Sequence, residues 1–327
     1  MWGIYPCPSV KSVVNNTPTV AVIDIGSNSI KVLVAARDKS GAVTELTSRT
    51  IDARISAGIG KAKPQLTEEG MARGLAAVQE LLADAAPFAP AKTILVATSA
   101  VRDAGNGADF RRRVKAATGY DIRILSGDEE ANLIGRGLTC DPALADLKDF
   151  YVFDLGGGSL ECLFFHDRQI QQAMSLQLGC VRLTERFIQD PAGPLPPHEG
   201  QALARHVWDE LKRSGFRFPV IAPAAVFAGG SMTTVRAIKG ARHGLALENT
   251  PAIIGTDTLS QLLDEVAPMT LEERKAIPGL PAARADVFPA ALITIVTVAD
   301  YAHIARFHHS LHNLRWGLAA EALASLG

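Results

Sequence analysis

Val20-Ala-Val-Ile-Asp24-Ile-Gly26-Ser-Asn-Ser29-Ile-Lys-Val near the start of the chain and Tyr151-Val-Phe-Asp154-Leu-Gly156-Gly-Gly-Ser159-Leu-Glu-Cys-Leu near its middle repeat one pattern. Each stretch has an apolar run, an aspartate, a turn of small residues that ends in serine, and a second apolar run. This pattern predicts two strands joined by a tight hairpin. The chain therefore contains two similar hairpins that are far apart in sequence.

The composition of the two turns is typical of a phosphate site. Backbone N–H groups and a serine hydroxyl can hold a phosphate, and an aspartate at the strand end can hold a cation beside it. An ordinary hairpin also favours glycine and asparagine, which tolerate positive φ. That alternative does not require Asp24 to match Asp154, or Ser29 to match Ser159. We therefore infer a duplicated βββαβα half and two lobes around a phosphate-binding cleft.

Length and composition indicate a globular α/β protein with two domains. The chain has 327 residues, of which 47% are hydrophobic and 20% charged, and it is long enough to bury two cores. No apolar run reaches the roughly 18 residues that a membrane helix needs. The net charge of −1, from 33 Lys and Arg against 34 Asp and Glu, provides no general attraction to nucleic acid or to a membrane.

The start of the chain and its cysteines bear on the cellular compartment. Residues 1–18 are rich in proline and lack the basic start and apolar core of a signal peptide, so we expect a disordered leader. The four cysteines show no CxxC spacing and no histidine partners at zinc-site intervals. The cysteines therefore suit a reducing cytoplasm.

The segment between the hairpins predicts alternating helices and strands. We expect a helix from Leu66 to about Ala86 that is capped by Thr67, and a second helix over 108–118 that ends at Gly119. The stretches 93–98 and 122–125 predict buried parallel strands. The first of these strands leads into residues 99–103, which we expect to form a loop at the functional edge of the sheet.

Two adjacent glutamates have different predicted roles. Ser126 and Glu129 match a capping box, which gives Glu129 a structural role at a helix start. Glu130 has no such role, and Leu133 and Ile134 follow it at helical spacing, so its side chain faces inward or into the cleft. An inward carboxylate needs a partner or a chemical task.

The second half repeats the plan with additions. A strand enters a helix through Gly229-Gly230-Ser231, a junction that directs N–H groups at an anion, although close strand–helix packing would also select these glycines. The apolar segment 290–299 predicts a buried helix or strand, and Pro289 predicts a kink or a restart of any helix there.

Two charged clusters have ordinary explanations. The basic run 111–115 could guide a phosphate chain, but the solvated face of a helix is the more typical role. The histidines at 303, 308, 309 and 312 could hold a metal, but they lack cysteine or paired carboxylate partners. We favour a solvated or interface role for them.

Taken together, these motifs resemble the exopolyphosphatase / guanosine pentaphosphate phosphatase (Ppx/GppA) family over nearly all of residues 19–323. The resemblance rests on eight ordered motifs: Ile23–Ser29, Ala97–Asp103, Leu125–Ala131, Phe153–Glu161, Leu178–Arg182, Gly229-Gly230, Arg284–Asp286 and Leu314–Gly317. It implies an α/β fold of two ribonuclease-H-like lobes, of the actin and sugar-kinase-like ATPase superfamily, around an interdomain cleft. The N-terminal lobe would span 19–135, with the terminal helix at about 314–327 packed back on it, and the C-terminal lobe 136–313.

The resemblance also implies roles for individual residues. Glu130 matches the catalytic base and Arg102 an arginine that grips the terminal phosphate. Asp24, Asp154 and Glu161 match the residues that hold Mg²⁺. The expected substrate and phosphate contacts are Gly26, Ser27, Asn28, Ser29, Ser99, Gly156, Gly157, Gly158, Ser159, Gly229, Gly230, Ser231 and Arg284.

Three functions are consistent with these residues. The first is a Mg²⁺-dependent exopolyphosphatase that releases orthophosphate from polyphosphate ends. Short chains are favoured because the additional C-terminal HD-type region of many longer members is not seen before Gly327. The second removes the 5′ γ-phosphate of guanosine pentaphosphate (pppGpp). The third is an ATP-dependent sugar kinase or ATP-binding module, which the glutamate at position 130 argues against. The resemblance further implies a homodimer.

Overall fold

The computed structural model describes residues 17–219 and 224–326. The predicted leader, apart from its last two residues, lies outside these ranges. None of the helices in the described ranges combines the length and the hydrophobicity that a bilayer crossing needs. The described residues form two α/β lobes, each built on a sheet whose central strands are buried on both faces.

The sheet of the first lobe has five strands in the order β3-β2-β1-β4-β5. Strands β1 to β3 form an antiparallel meander, and β4 and β5 run parallel to β1. The strands are β1 Thr19–Ile25, β2 Ile30–Arg37, β3 Val43–Ile51, β4 Lys92–Ala97 and β5 Ile122–Ile124. The helices are α1 Glu68–Ala85, α2 Ser99–Arg102, α3 Gly107–Thr118 and α4 Gly127–Thr139.

The sheet of the second lobe has six strands in the order β10-β11-β9-β6-β7-β8. The strands are β6 Phe150–Leu155, β7 Leu160–His166, β8 Gln169–Leu176, β9 Ala224–Ala228, β10 Ile253–Gly255 and β11 Arg306–His309. The helices that follow α4 are α5 Cys180–Phe187, α6 Pro197–Ser214, α7 Gly229–Arg242, α8 Thr256–Val266, α9 Leu271–Lys275, α10 Phe288–Ala302 and α11 Leu314–Ala324.

The two sheets share one connectivity. The order β3-β2-β1-β4-β5 recurs as β8-β7-β6-β9-β11, and β10 is added at the far edge of the second sheet. Both predicted hairpins are present, with Ile25 opposite Ile30 in the first and Leu155 opposite Leu160 in the second. The prediction of two ribonuclease-H-like lobes is confirmed.

Helices α4 and α11 lie between the sheets and join the lobes. One hydrophobic core contains Val22 of β1, Val152 of β6, Leu133 of α4 and Leu318 of α11. Trp316 is buried in the same core. Helix α11 also packs against β1 and β2, so the end of the chain returns to the first lobe. Helix α4 runs through residues 135 and 136, where we placed the limit between the lobes.

Local capping signals produced the predicted helix starts. Thr67 accepts a hydrogen bond from the N–H of Gly70 at the start of α1. Ser126 and Glu129 form the complete capping box of α4, and Gly119 ends α3 with φ of 79°. These contacts depend on residues three or four apart, which is why the sequence was sufficient to predict them.

Two local predictions need correction or refinement. Residues 99–102 form the short helix α2 and not a loop, because the chain turns helical directly after β4. The apolar segment 290–299 belongs to helix α10, and Pro289 stands in its first turn, where a missing N–H is tolerated. The helix therefore starts at the proline and is not kinked by it.

The basic run 111–115 lies on helix α3, and the histidines at 303, 308, 309 and 312 lie in the second lobe. Arg111 and Arg113 form ion pairs on the exposed side of α3, as predicted. The solvated or interface role was wrong for His309, which is buried and contacts Arg236 and Thr233. His312 is half-buried, and its ring lies 3.8 Å from that of Trp316 between centroids, in a tilted arrangement. The described part of the chain contains no group of three His, Cys, Asp or Glu side chains able to hold a metal.

Candidate active site

The turns of the two hairpins meet at the bottom of a cleft between the lobes. The hydroxyl groups of Ser27 and Ser99 lie 3.2 Å apart. No side chain would fit at Gly157 of the other lobe, because a Cβ atom there would lie 2.7 Å from the Cβ atom of Ser27. The two half-sites predicted from the sequence therefore face each other at contact distance.

Most of the predicted site residues line this cleft. They are Asp24, Gly26, Ser27, Asn28, Ser29, Ser99, Glu130, Asp154, Gly156, Gly157, Ser159, Glu161, Gly229, Gly230 and Arg284. Arg102, Gly158 and Ser231 lie outside this lining. The lining also includes residues that the sequence analysis missed, namely Lys31, Thr98, Ile134, Leu155, Asn313 and Leu314.

Glu130 projects from the first turn of α4 into the cleft. It is 7% exposed, and its Oε2 atom accepts a hydrogen bond of 2.8 Å from Nη1 of Arg102. Burial raises the pKa of Glu130 to about 7, an effect that Arg102 opposes and that Asp24 and Asp154 reinforce. A carboxylate with this pKa can both accept and release a proton near neutral pH.

Asp24 and Asp154 occupy equivalent places at the ends of β1 and β6. Burial raises the pKa of both carboxyl groups, that of Asp154 to about 6, while the positive charges of Lys31 and Arg315 oppose the increase. The Oδ1 atom of Asp24 is buried and has no hydrogen-bond partner among the described residues. The side-chain amide of Asn28, in the same turn, also has none. Buried polar atoms without a protein partner in a cleft are suited to contact a ligand.

Glu161 lies opposite Asp154 on the neighbouring strand β7. Its Oε1 atom accepts a hydrogen bond of 2.7 Å from the hydroxyl group of Ser175. The pKa of Glu161 is raised, first by burial and then by the negative charges of Glu130 and Asp154. The cleft therefore concentrates carboxyl groups that a cation would stabilise in their ionised form.

Lys31 is the most consequential residue that the sequence analysis missed. It lies opposite Asp24 on β2 and lines the cleft. Burial and the charges of Arg315 and Arg284 lower its pKa to about 8, although Asp24 and Asp154 favour the charged form. The hairpin register could have revealed it, because a four-residue turn over 26–29 places Lys31 beside Asp24.

The junction between β9 and α7 brings backbone close to two charged groups. Gly229 has φ of 86°, and the carboxylate of Asp154 lies against the position that a Cβ atom would occupy. A Cβ atom at Gly230 would lie 2.5 Å from Nη1 of Arg284. The Nη2 atom of Arg284 is 3.4 Å from the hydroxyl group of Ser29, which belongs to the first lobe. Arg284 thus reaches across the cleft.

Further contacts between the lobes surround the cleft. Arg182 of α5 donates to the carbonyl groups of Gly158 and Ile59, each at 2.9 Å, and pairs with Asp103. Asp286 accepts two hydrogen bonds from Arg54, at 2.5 and 2.9 Å. These bonds tie the segment after β3 to the second lobe and hold the two turns in contact.

The donor set fits a hard divalent cation. Asp24, Asp154 and Glu161 provide the carboxylate oxygens that Mg²⁺ prefers, and Asp24 has an oxygen without a partner in the described residues. These carboxylates do not form a complete protein cage for a metal. Mg²⁺ is usually bound by one or two carboxylates, water and substrate phosphates, so these residues suit that mode.

Comparison with known proteins identifies the family. The profile of the Ppx/GppA phosphatase family matches residues 32–326. The chain belongs to the Ppx/GppA phosphatase family. It is thus a phosphoanhydride hydrolase, as predicted from the motifs, and the kinase and ATP-binding alternatives lose their support.

Several solved structures share the fold of this chain. An exopolyphosphatase from Cytophaga hutchinsonii ATCC 33406 is 24% identical, with 94% of this chain and 98% of that chain covered and a TM-score of 0.84. An exopolyphosphatase-like protein is 25% identical, with 95% and 99% covered and a TM-score of 0.85. The PPX-GPPA enzyme of Aquifex aeolicus is 24% identical, with 93% and 99% covered and a TM-score of 0.75.

Proposed function

We propose that this phosphatase is an exopolyphosphatase that releases orthophosphate from the ends of inorganic polyphosphate, with short chains preferred and Mg²⁺ as the metal. One observation carries the proposal. The two phosphate-type turns meet at Ser27 and Gly157, and the buried carboxylate of Glu130 points into the cleft that they form. The names of the Cytophaga exopolyphosphatase and the exopolyphosphatase-like protein support the same choice.

The cleft supplies groups that bind and orient a terminal phosphate. Backbone N–H groups and hydroxyls of the two turns would hold its oxygens, and Arg284 would add a charged donor from across the cleft. Asp24, Asp154 and Glu161 would hold the metal. When bound, Mg²⁺ neutralises negative charge on the phosphoryl oxygens. Most of the catalysis of phosphoryl transfer comes from such positioning and charge stabilisation.

Glu130 would act on the attacking water. A new bond forms between the water oxygen and the terminal phosphorus, and the bond from that phosphorus to the bridging oxygen breaks. The electron pair of the broken bond leaves with the bridging oxygen on the shortened chain. Glu130 accepts the proton of the water, for which its raised pKa is suitable. Arg102 keeps the carboxylate of Glu130 oriented through their hydrogen bond.

Polyphosphate and pppGpp would use the same catalytic residues. The test is orthophosphate release from short polyphosphate, long polyphosphate, pppGpp and ATP, measured with Mg²⁺, with Mn²⁺ and with a chelator. We expect the highest kcat/KM on short polyphosphate with Mg²⁺ and no release with the chelator. Faster release from pppGpp would replace polyphosphate as the substrate, and ATP-dependent transfer to a sugar without such release would refute the hydrolase assignment.

From the family resemblance we further propose a homodimer whose lobes extend over 19–135 with the terminal helix and over 136–313. We propose a cytoplasmic location from the cysteines, which show no CxxC spacing and no histidine partners at zinc-site intervals. Light scattering coupled to size-exclusion chromatography would measure the mass in solution. A single species of about 35 kDa, the mass of one chain of 34.7 kDa, would contradict the dimer.

A further inference from the structure

The two half-sites differ in charge at one equivalent position. Asp24 lies opposite Lys31 across the first hairpin, whereas Asp154 lies opposite Glu161 across the second. Directly opposed residues share one face of the sheet, with Cβ atoms about 5 Å apart. All four side chains line the same cleft. The first half-site therefore combines a carboxylate with an ammonium group, and the second combines two carboxylates.

Arg315 adds a second, partly buried cation near the aspartates. It stands in the first turn of α11, and its Nη1 atom donates to the carbonyl of Val32 at 2.9 Å. Its Nε atom has no hydrogen-bond partner among the described residues. The charges of Lys31 and Arg315 both act on Asp24 and Asp154. The charges of two cations thus oppose the effect of burial on both aspartates.

The other two carboxylates of the cleft each use one oxygen atom in a hydrogen bond to a protein donor. Ser175 donates to Glu161, and Arg102 donates to Glu130. The described ranges contain no cluster of three side chains that could hold a metal without other ligands. A free divalent cation in the cleft would find carboxylate oxygens but no complete set of protein ligands, and it would meet the positive charges of Lys31 and Arg315. A phosphate chain would add oxygen ligands and negative charge, and so remove both obstacles.

We propose that this site takes its divalent metal together with the phosphate chain, as a metal–polyphosphate complex, and that Lys31 enforces this order. The positive charge of Lys31 disfavours binding of the metal alone and favours binding of the phosphate oxygens that accompany the metal. The identity of the anion rests on the proposed function, whereas the order of binding rests on the charges and ligands of the cleft.

Calorimetric titration of the purified full chain tests the order directly. Mn²⁺ and Mg²⁺ are titrated with and without methylenediphosphonate, whose P–C–P bridge cannot be hydrolysed. We expect weak binding of the metal alone and binding at least about tenfold tighter with methylenediphosphonate present. By linkage, the metal must tighten methylenediphosphonate binding by the same factor. Equal metal affinity in the two titrations would overturn the proposal.

Substitutions of Lys31 test its part in this order. K31M and K31Q remove the charge, and we expect the metal alone to bind them more tightly and the coupling factor to shrink. K31R keeps the charge and should behave like the wild type, as should K39M in an exposed turn. Circular dichroism verifies folding. Unchanged metal binding in a folded K31M or K31Q variant would refute the role of Lys31, and the wild-type titration decides the order even if neither variant folds.

These titrations separate the inference from the proposed function. If the enzyme releases no orthophosphate from polyphosphate but binds metal more tightly with methylenediphosphonate, the proposed substrate is refuted and the proposed binding order is supported. If the enzyme hydrolyses polyphosphate but binds Mn²⁺ equally well without an anion, the proposed substrate is supported and the proposed binding order is refuted.

Discussion

The Nη1 atom of Arg102 lies 2.8 Å from the Oε2 atom of Glu130 and 3.0 Å from the carbonyl oxygen of Leu125. Arg102 does not line the cleft, whereas Glu130 does. In this arrangement the arginine holds one oxygen of the carboxylate through a hydrogen bond. The direct contact between Arg102 and a terminal phosphate, which the family resemblance implies, stays a prediction.

Substitution of Arg102 distinguishes these two roles. The charge and hydrogen bond of Arg102 lower the pKa of Glu130, against the larger effect of burial. R102M should therefore raise that pKa and move the acidic limb of the kcat/KM profile to higher pH by about one unit, and R102K should move it less. Profiles measured between pH 5 and about 9 would show this shift. A higher KM with an unmoved limb would instead favour the phosphate contact.

The pKa of Glu130 predicts the pH dependence of the wild-type enzyme. A base must be ionised, and burial raises this pKa to about 7. The value of kcat/KM should thus fall as the pH decreases below about 7, because the profile of kcat/KM reports the free enzyme. E130Q should reduce kcat by about a hundredfold or more and leave the dissociation constant of methylenediphosphonate nearly unchanged. E129Q, at the neighbouring capping residue, is the matched control and should alter stability more than turnover.

The contact between Gly157 and Ser27 predicts a stability effect that depends on both residues. In G157A the new methyl group would lie 2.7 Å from Cβ of Ser27 and 3.1 Å from Cγ2 of Val181. Overpacking of this kind costs about 1–3 kcal/mol, so the melting temperature should fall. The second variant S27G/G157A should recover part of the loss. G105A is the control, since the nearest atom to its Cβ is 3.9 Å away.

The pair of Arg54 and Asp286 predicts a link between lobe contacts and substrate binding. R54M or D286N breaks a bidentate pair between the lobes. Each should raise KM, because the two lobes are then held together less firmly around the substrate. Each should also lower the free energy of unfolding by about 1 kcal/mol or less. The double variant should show less than the sum of the single effects.

Arg111 and Asp121 offer the matched control for this prediction. They form a similar bidentate pair at 2.7 and 2.9 Å, but within the first lobe. R111M and D121N should leave KM unchanged. An equal rise of KM in both sets of variants would mean that the contact between the lobes has no special role.

The features that could be predicted depend on neighbouring residues in the chain. The hairpins, the capping box of α4 and the inward direction of Glu130 follow from patterns within about five residues, and each is present in the structure. The position of Lys31 could be predicted from a local pattern as well, because the length of the turn sets the register that places Lys31 opposite Asp24. The residue type alone does not indicate this position, because a basic residue in a strand is typically solvated.

Other features depended on residues that are distant in sequence. Asn313 and Leu314 line the cleft and Arg315 stands beside the aspartates only because α11 returns to the first lobe. The hydrogen bond between Arg102 and Glu130 joins residues 28 apart in the chain and was not predicted, because it depends on how helix α2 packs beside α4. His309 was expected at the surface and is buried beside Arg236.

Local patterns in the chain established the duplicated half-sites and the identity of their aspartates, since strand alternation, turn composition and helix capping act over a few residues. Packing between the lobes established what those residues face. The contact of Ser27 with Gly157, the pairing of Arg102 with Glu130 and the approach of Arg315 to Asp24 each join segments that are far apart in the chain. Burial sets the pKa values of the carboxyl groups, and burial exists only once these segments have come together.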